Sequence, residues 1–316
     1  MVRRLLQSKR MRKGQFQISF AWIFAIIIGV FILSLTIFGV SKFIKTEKVS
    51  QDTQAGKEIE TMLNPLESGY ETGQMVYISM PTESKIYNNC YSDGTFGKQG
   101  IQVSQKSIGK SGEKGVEITS YNKYIFSEEV ERGEDFYVFS KPFYFPFKIA
   151  DLIYFTSSED KYCFEDADED IKEELESLGQ PNIFTENCSD EKFIEICFEK
   201  DNCEIVVNYL GGYLIKDKEI MYFNDDVLMF AAIFSNEETY NCQLQRLMKR
   251  TAVLSEIYSE KSNILLDRCV TNLESDLILL KNSALSLKDS SQIHSLSLTS
   301  EDLEKSNKNN WGCELW

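Results

Sequence analysis

The chain has 316 residues, 42% of them hydrophobic and 26% charged, a make-up that can bury a core and is unlike that of a disordered protein. Its net charge of −15 is unevenly spread: residues 1–48 hold nine Lys/Arg and one acid, Glu47, whereas residues 49–316 hold 25 basic and 48 acidic residues. The acidic field argues against a nucleic-acid partner, and the single histidine, His294, removes most histidine-based catalytic and metal sites.

Residues 1–17 form a basic leader with six positive charges and no acid. A transmembrane helix is expected over 18–41, because Phe20–Val40 is a run of 21 uncharged residues. At about 1.5 Å per residue such a helix crosses a hydrocarbon core of about 30 Å. The positive-inside bias places the N-terminus in the cytoplasm and everything beyond about Lys42 outside the cell membrane. A cleaved secretory signal fits less well, since the apolar run is too long and Ser41–Ser50 lacks a small-x-small cleavage site.

Just before the span, Arg12-Lys13-Gly14-Gln15 leads into Phe16-Gln17-Ile18-Ser19-Phe20. This junction resembles the class III signal peptide of archaeal type IV pilin-like proteins and archaellins. The resemblance covers about 30 residues. It implies cutting between Gly14 and Gln15 by a prepilin peptidase, with Lys13, Gly14 and Gln15 as the processing site, and an apolar helix retained to pack in a filament core. Gln17-x-Ser19 resembles the start of the family's Gln-x-Ser-x-Glu pattern, with Ala21 where the family has Glu. The uncut alternative is a signal anchor.

All eight cysteines, Cys90, Cys163, Cys188, Cys197, Cys203, Cys242, Cys269 and Cys313, follow the span, which fits an oxidising compartment and up to four disulfides. Their spacing gives zinc no support. One local pair is expected, Cys197 with Cys203, clamping a hairpin whose strands flank the turn cluster Glu199-Lys200-Asp201-Asn202. Were Cys242 and Cys269 to pair, the helical run between them would have to turn back near Ser259–Asn263.

After the span, residues 42–65 read as a stalk helix stopped at Asn64-Pro65. Residues 66–225 read as a β-rich exported domain of antiparallel strands, with a short acidic helix over 166–178 and a type I′ hairpin at Gly211-Gly212. From 226 to 316 the period turns helical. Leu273, Leu277, Leu280, Ala284 and Leu287 form one apolar face, and Leu244, Leu247, Leu254 and Tyr258 another. Residues 288–310 are polar and expected to be partly loose, with the terminal Trp311–Trp316 tied down through Cys313 or a tryptophan. The class is α+β. The stretch from Ala231–Ser235 to Leu247–Arg250 is similar to a segment of uncharacterised archaeal membrane-anchored proteins.

Gly109-Lys110-Ser111 ends like a phosphate-binding loop but has Ser104 where the pattern needs glycine. Asp166, Asp168 and Asp170 open like a calcium loop but meet Ile171 and Ser177 where glycine and glutamate belong, so they read as a helix start. Arg246, Lys249 and Arg250 read as a basic, solvated helix face, with lipid headgroups or an acidic subunit as the competing partners. Asn187-Cys188-Ser189 is a glycosylation sequon. No catalytic residue, metal ligand or cofactor is expected. The reading is a single-pass, non-catalytic surface protein in contact with the bilayer and with other pilin-like or surface subunits. The alternatives are a membrane-tethered enzyme acting on the cell envelope and a stand-alone receptor or scaffold.

Overall fold

The computed structural model describes residues 20–67, 75–106, 112–186, 188, 193–200, 202–265, 272–309 and 313–316. The chain divides into two units, Met1–Glu47 and Lys48–Trp316. Helix α1 (Phe20–Met62) contributes to both. Within the first unit, every residue from Phe20 to Glu47 is exposed, and the helix is long and apolar enough to span a membrane.

In the second unit α1 changes character. Asp52, Gly56 and Ile59 recur at helical spacing and are buried, followed by Leu63 and by Leu66 in α2 (Asn64–Glu67). Pro65 lies in the first turn of α2, where a missing N–H leaves no helical bond unmade. The segment expected as a stalk helix over 42–65 is helical through Met62, and from Lys48 onward it belongs to the second unit. Its apolar stripe requires a partner, and it finds one in the first sheet.

That sheet has the order β3-β2-β1-β5-β6-β4, built from β1 (Val76–Tyr91), β2 (Lys98–Gln105), β3 (Ile118–Ser120), β4 (Tyr124–Phe126), β5 (Val130–Tyr144) and β6 (Lys148–Ser157). Its pairs are antiparallel except β4 with β6. Ile59, Leu63 and Leu66 pack on Ile78, Ile101, Val103, Ile125, Phe136, Val138, Ile153 and Phe155. The alternate residues, among them Phe126, Phe139, Phe143 and Tyr154, enter a second and larger core. With both faces covered, β6 is buried almost throughout instead of alternating.

The second sheet, β12-β11-β10-β9-β7-β8, comprises β7 (Tyr162–Glu165), β8 (Ile183–Phe184), β9 (Ile194–Phe198), β10 (Ile205–Asn208), β11 (Tyr213–Lys216) and β12 (Glu219–Tyr222). Here the antiparallel expectation fails. The pairs β8-β7, β7-β9 and β9-β10 are parallel, with α3 (Glu169–Ser177) making the crossing from β7 to β8. Asp168 stands at the N-cap position of α3, and Glu169 and Asp170 in its first turn favour the helix dipole. The β10-β11 hairpin does form. Its loop, however, is the four residues 209–212, and the two-residue loop with positive φ at both positions is Asp217-Lys218, between β11 and β12.

Helix α4 (Asp226–Phe234) is buried at every position from Leu228 to Phe234 and lies between the sheets, touching β4, β5 and β6 on one side and β11 and β12 on the other. A helix apolar all round has no solvent face to offer. Phe234 meets Phe139 and Tyr154 of the first sheet and Tyr162 of the second, at ring separations of 5.8, 6.1 and 5.0 Å. Helix α5 (Glu237–Leu265) packs on β1, β4, β6 and β12, α6 (Glu274–Ser286) packs on α5, and α7 (Ile293–Asn309) packs on α6. The expected apolar face Leu273–Leu287 is buried. Helix α5 is unbroken through Ser259–Asn263, so no turn occurs there. The polar segment expected to be loose is the helix α7, held by buried Ile293, Leu296 and Leu303. At the terminus Trp316 packs edge-on against Phe147 and Tyr258, Leu315 N–H donates to Asn307, and Cys313 is disulfide-bonded.

Candidate functional site

Among the described residues three disulfide pairs brace the second unit, and Cys313 is disulfide-bonded as well. Cys163 joins Cys188, Cys197 joins Cys203, and Cys90 on β1 joins Cys242 on α5 across 152 positions of sequence. The Cys197–Cys203 bond does not clamp an antiparallel hairpin. Val206, not Cys203, lies opposite Cys197, and the strands run parallel, so the bond closes the short return between β9 and β10. Glu199 and Asn202 make that reversal with positive φ. Cys242 takes a partner on the first sheet, which the helical spacing to Cys269 had no means of showing. Lys13, Gly14, Gln15, Asn187, Cys269 and the Gly109-Lys110-Ser111 motif lie outside the described residues.

Beside Cys90–Cys242 opens a cleft of about 580 Å³, lined by Asn88, Asn89, Tyr91, Asn236, Asn241 and Gln245 and by the acids Asp93, Glu129, Glu237 and Glu238. Its amides are largely committed to the fold. Asn88 donates to Ile125 O and Ser127 Oγ, Asn89 to Glu117, and Gln245 to Lys288 O, while Asn236 caps α5 through Thr239 N–H and Asn241 accepts from Ser290 N–H. The groups that remain toward the opening are chiefly carboxylates, and they disfavour an anionic ligand.

Behind the cleft, a chain of polar side chains joins α5 to the first sheet. Gln243 donates to Gln99 and to Ile125 O, and Gln99 donates to Asn88. Arg246, expected on a solvated face, is buried completely. Its guanidinium donates to Gln243 Oε1 at 2.7 Å, Lys123 O at 2.9 Å and Tyr121 O at 3.1 Å, and lies over the Tyr124 ring. Burial lowers its pKa to about 10 and leaves it cationic at neutral pH. Gly97, with φ +60°, lets the chain pass over the arginine stem, where a Cβ would lie 2.8 Å from Arg246 Cγ. Lys249 is likewise engaged, donating to Ser92 O and Gly94 O.

A second group of charges lies where the two sheets meet. Glu131 of β5 is 1% exposed and accepts from Glu128 N–H and Ser157 N–H, each at 3.1 Å. Burial pushes its carboxyl up to about 8, and the charge of Asp160 pushes the same way. Asp160, half-buried, is also raised, by burial first and then by Glu128. Lys216 of β11 contacts Glu128 and donates to Ile233 O and Ser235 O at the end of α4, both at 2.9 Å. Glu128, Asp160 and Lys216 border a cleft of about 570 Å³, but Glu131 does not line it. Chemically this group stores a proton at neutral pH inside the domain. Sequence reading missed it because nothing in Glu128-Glu129-Val130-Glu131 distinguishes the one glutamate that turns inward.

Among the described residues, no group of three or more His, Cys, Asp or Glu side chains is placed to hold a metal ion, and Asp166 of the calcium-like run instead contacts Lys200. His294 is exposed beside the 209–212 loop. No protein-family model, curated protein or solved structure matches the chain.

Proposed function

We propose that this is a single-pass, non-catalytic cell-surface protein with its N-terminus in the cytoplasm and everything beyond about Lys42 outside, acting as a pilin-like subunit or accessory protein of a type IV pilus-like assembly. The observation that carries the reading is the first part of α1: 21 uncharged residues, all exposed, on a helix. So much bare apolar surface requires lipid or other helices as its surroundings, and a helix satisfies its own backbone there. The disulfides support export. The basic-Gly-Gln junction supports processing and reuse of the helix in an assembly.

The test is the intact mass of the protein purified from its native membrane, joined to protease digestion of whole cells. Loss of residues 1–14 and digestion of the domain from outside are expected. A full-length N-terminus refutes the pilin-like role and leaves a signal-anchored surface protein, and a domain shielded in whole cells but cut after lysis refutes the topology. The alternative of a tethered enzyme has one supporting observation, Asp160 and Glu128 at the mouth of a cleft. Glu131, the neighbouring carboxyl that burial pushes up to about 8, does not line that cleft and is held by two backbone amides.

A further inference from the structure

Lys123, immediately before β4, is 2% exposed, an unusual place for an amine. Its Nζ contacts Glu60 Oε1 at 2.6 Å and Glu67 Oε2 at 3.3 Å, and donates to the side-chain oxygen of Asn64 at 2.7 Å. Glu60 is on α1, and Asn64 and Glu67 are on α2. Leu63 and Leu66, next to Asn64 and Glu67 in sequence, and Ile125, two positions after Lys123, are buried in the core between α1 and the first sheet. A primary amine, a carboxamide and a carboxylate are thus held together, the amine away from bulk water. This is the set of groups that intramolecular amide exchange requires: a nucleophile, an acyl group with a departing amine, and a proton carrier in contact with the nucleophile.

We propose that Lys123 and Asn64 are a site of covalent modification, an isopeptide cross-link between the end of the anchor helix and the sheet. The Lys123 ammonium gives a proton to the Glu60 carboxylate. The freed amine attacks Asn64 Cγ, forming the C–N bond and a tetrahedral centre. That centre collapses with cleavage of the bond from Cγ to the original amide nitrogen, which takes up the proton held by Glu60 and a second proton from the former lysine nitrogen. The departing nitrogen leaves as ammonium ion, and the inventory closes with no proton from solvent: ammonium and carboxamide become amide and ammonium ion, with Glu60 returned to its carboxylate. No oxidant or further reactant is needed. Asn64 is exposed, so the ammonia has a way out. The product ties residues 48–67 to the domain by a bond that pulling on the anchor would not separate.

The test uses the full chain from its native membrane, reduced, alkylated, denatured and digested with trypsin. The expected product is Glu58–Lys85 joined to Gly115–Arg132, uncut at Lys123, lighter than the two together by one ammonia, and stable to reduction because neither peptide contains cysteine. Peptide mapping is essential. An N-terminal Gln15 exposed by leader cleavage can cyclise with the same mass loss, so intact mass alone would confuse the two events. Asn64→Ala removes the acyl group, and Glu60→Gln with Glu67→Gln removes the proton carriers. Both variants should yield separate peptides and regain the ammonia mass. Recovery of Gly115–Lys123, Tyr124–Arg132 and Glu58–Lys85 as separate peptides from the unaltered protein overturns the proposal, whatever the variants do and whether or not the leader is cut.

Discussion

Replacing Glu131 by Gln should change how the stability of the domain depends on pH. In the folded protein the carboxyl titrates near 8, against 4.5 for an ordinary glutamate. Between those values the folded state holds a proton that the unfolded state has released, so stability declines as pH rises through the interval and the decline is complete above the folded pKa. At about 1.4 kcal/mol per pKa unit, the loss between pH 5 and pH 8 is on the order of 4 kcal/mol. Glutamine cannot titrate, but its NH2 group faces one of the two backbone N–H groups that Glu131 now accepts from, which costs about 1–3 kcal/mol at any pH. The variant should therefore be the less stable protein at pH 5 and the more stable one at pH 8.5. Asp160 and Asp225, raised by burial in the same direction, are present in both proteins and largely cancel in the difference. Urea midpoints of the full chain in detergent, followed by tryptophan fluorescence from pH 5 to 9, measure it. Parallel profiles for the two proteins would refute the assignment of Glu131 as a buried proton store.

The disulfides should differ in weight. Loop-closure entropy gives about 5 kcal/mol for Cys90–Cys242 and about 2 kcal/mol for Cys197–Cys203, so paired Cys→Ala replacement of the former should lower the urea midpoint much further, and equal effects would count against the entropic account. Alkylation of the unfolded, unreduced protein should label none of Cys90, Cys163, Cys188, Cys197, Cys203, Cys242 or Cys313, as read by peptide mapping. Arg246→Met leaves Gln243 Oε1 and three carbonyls without their donor and should cost about 3–5 kcal/mol, whereas a solvated arginine would cost almost nothing. Phe234→Ala removes a ring that touches both sheets and should cost about 3–5 kcal/mol in the same assay, with little loss if the sheets do not share α4.

The parts of this protein legible from the chain alone are those set by neighbours in sequence. Twenty-one uncharged residues make an apolar helix whatever follows them, and a 3.6-residue period in Leu273–Leu287 picks out the buried face of α6 because side chains three and four apart share a side of a helix. The acidic run at 166–170 reads correctly as a helix start for the same reason. Tertiary structure decides what a local pattern leaves degenerate. Strand-like runs around Cys197 and Cys203 are compatible with either pairing direction, and the parallel one is chosen by the sheet they enter. Residues 48–62 have the composition of a free stalk, and only the apolar face of the first sheet turns Ile59 into core. Arg246 and Glu131 look like any surface charge until the carbonyls and amides that receive them are assembled from residues up to 150 positions away. Cys242 finds Cys90 at a separation of 152 for the same physical reason: periodicity and propensity act over a turn or a strand, whereas the partner of a buried group is fixed by which elements the whole core brings together.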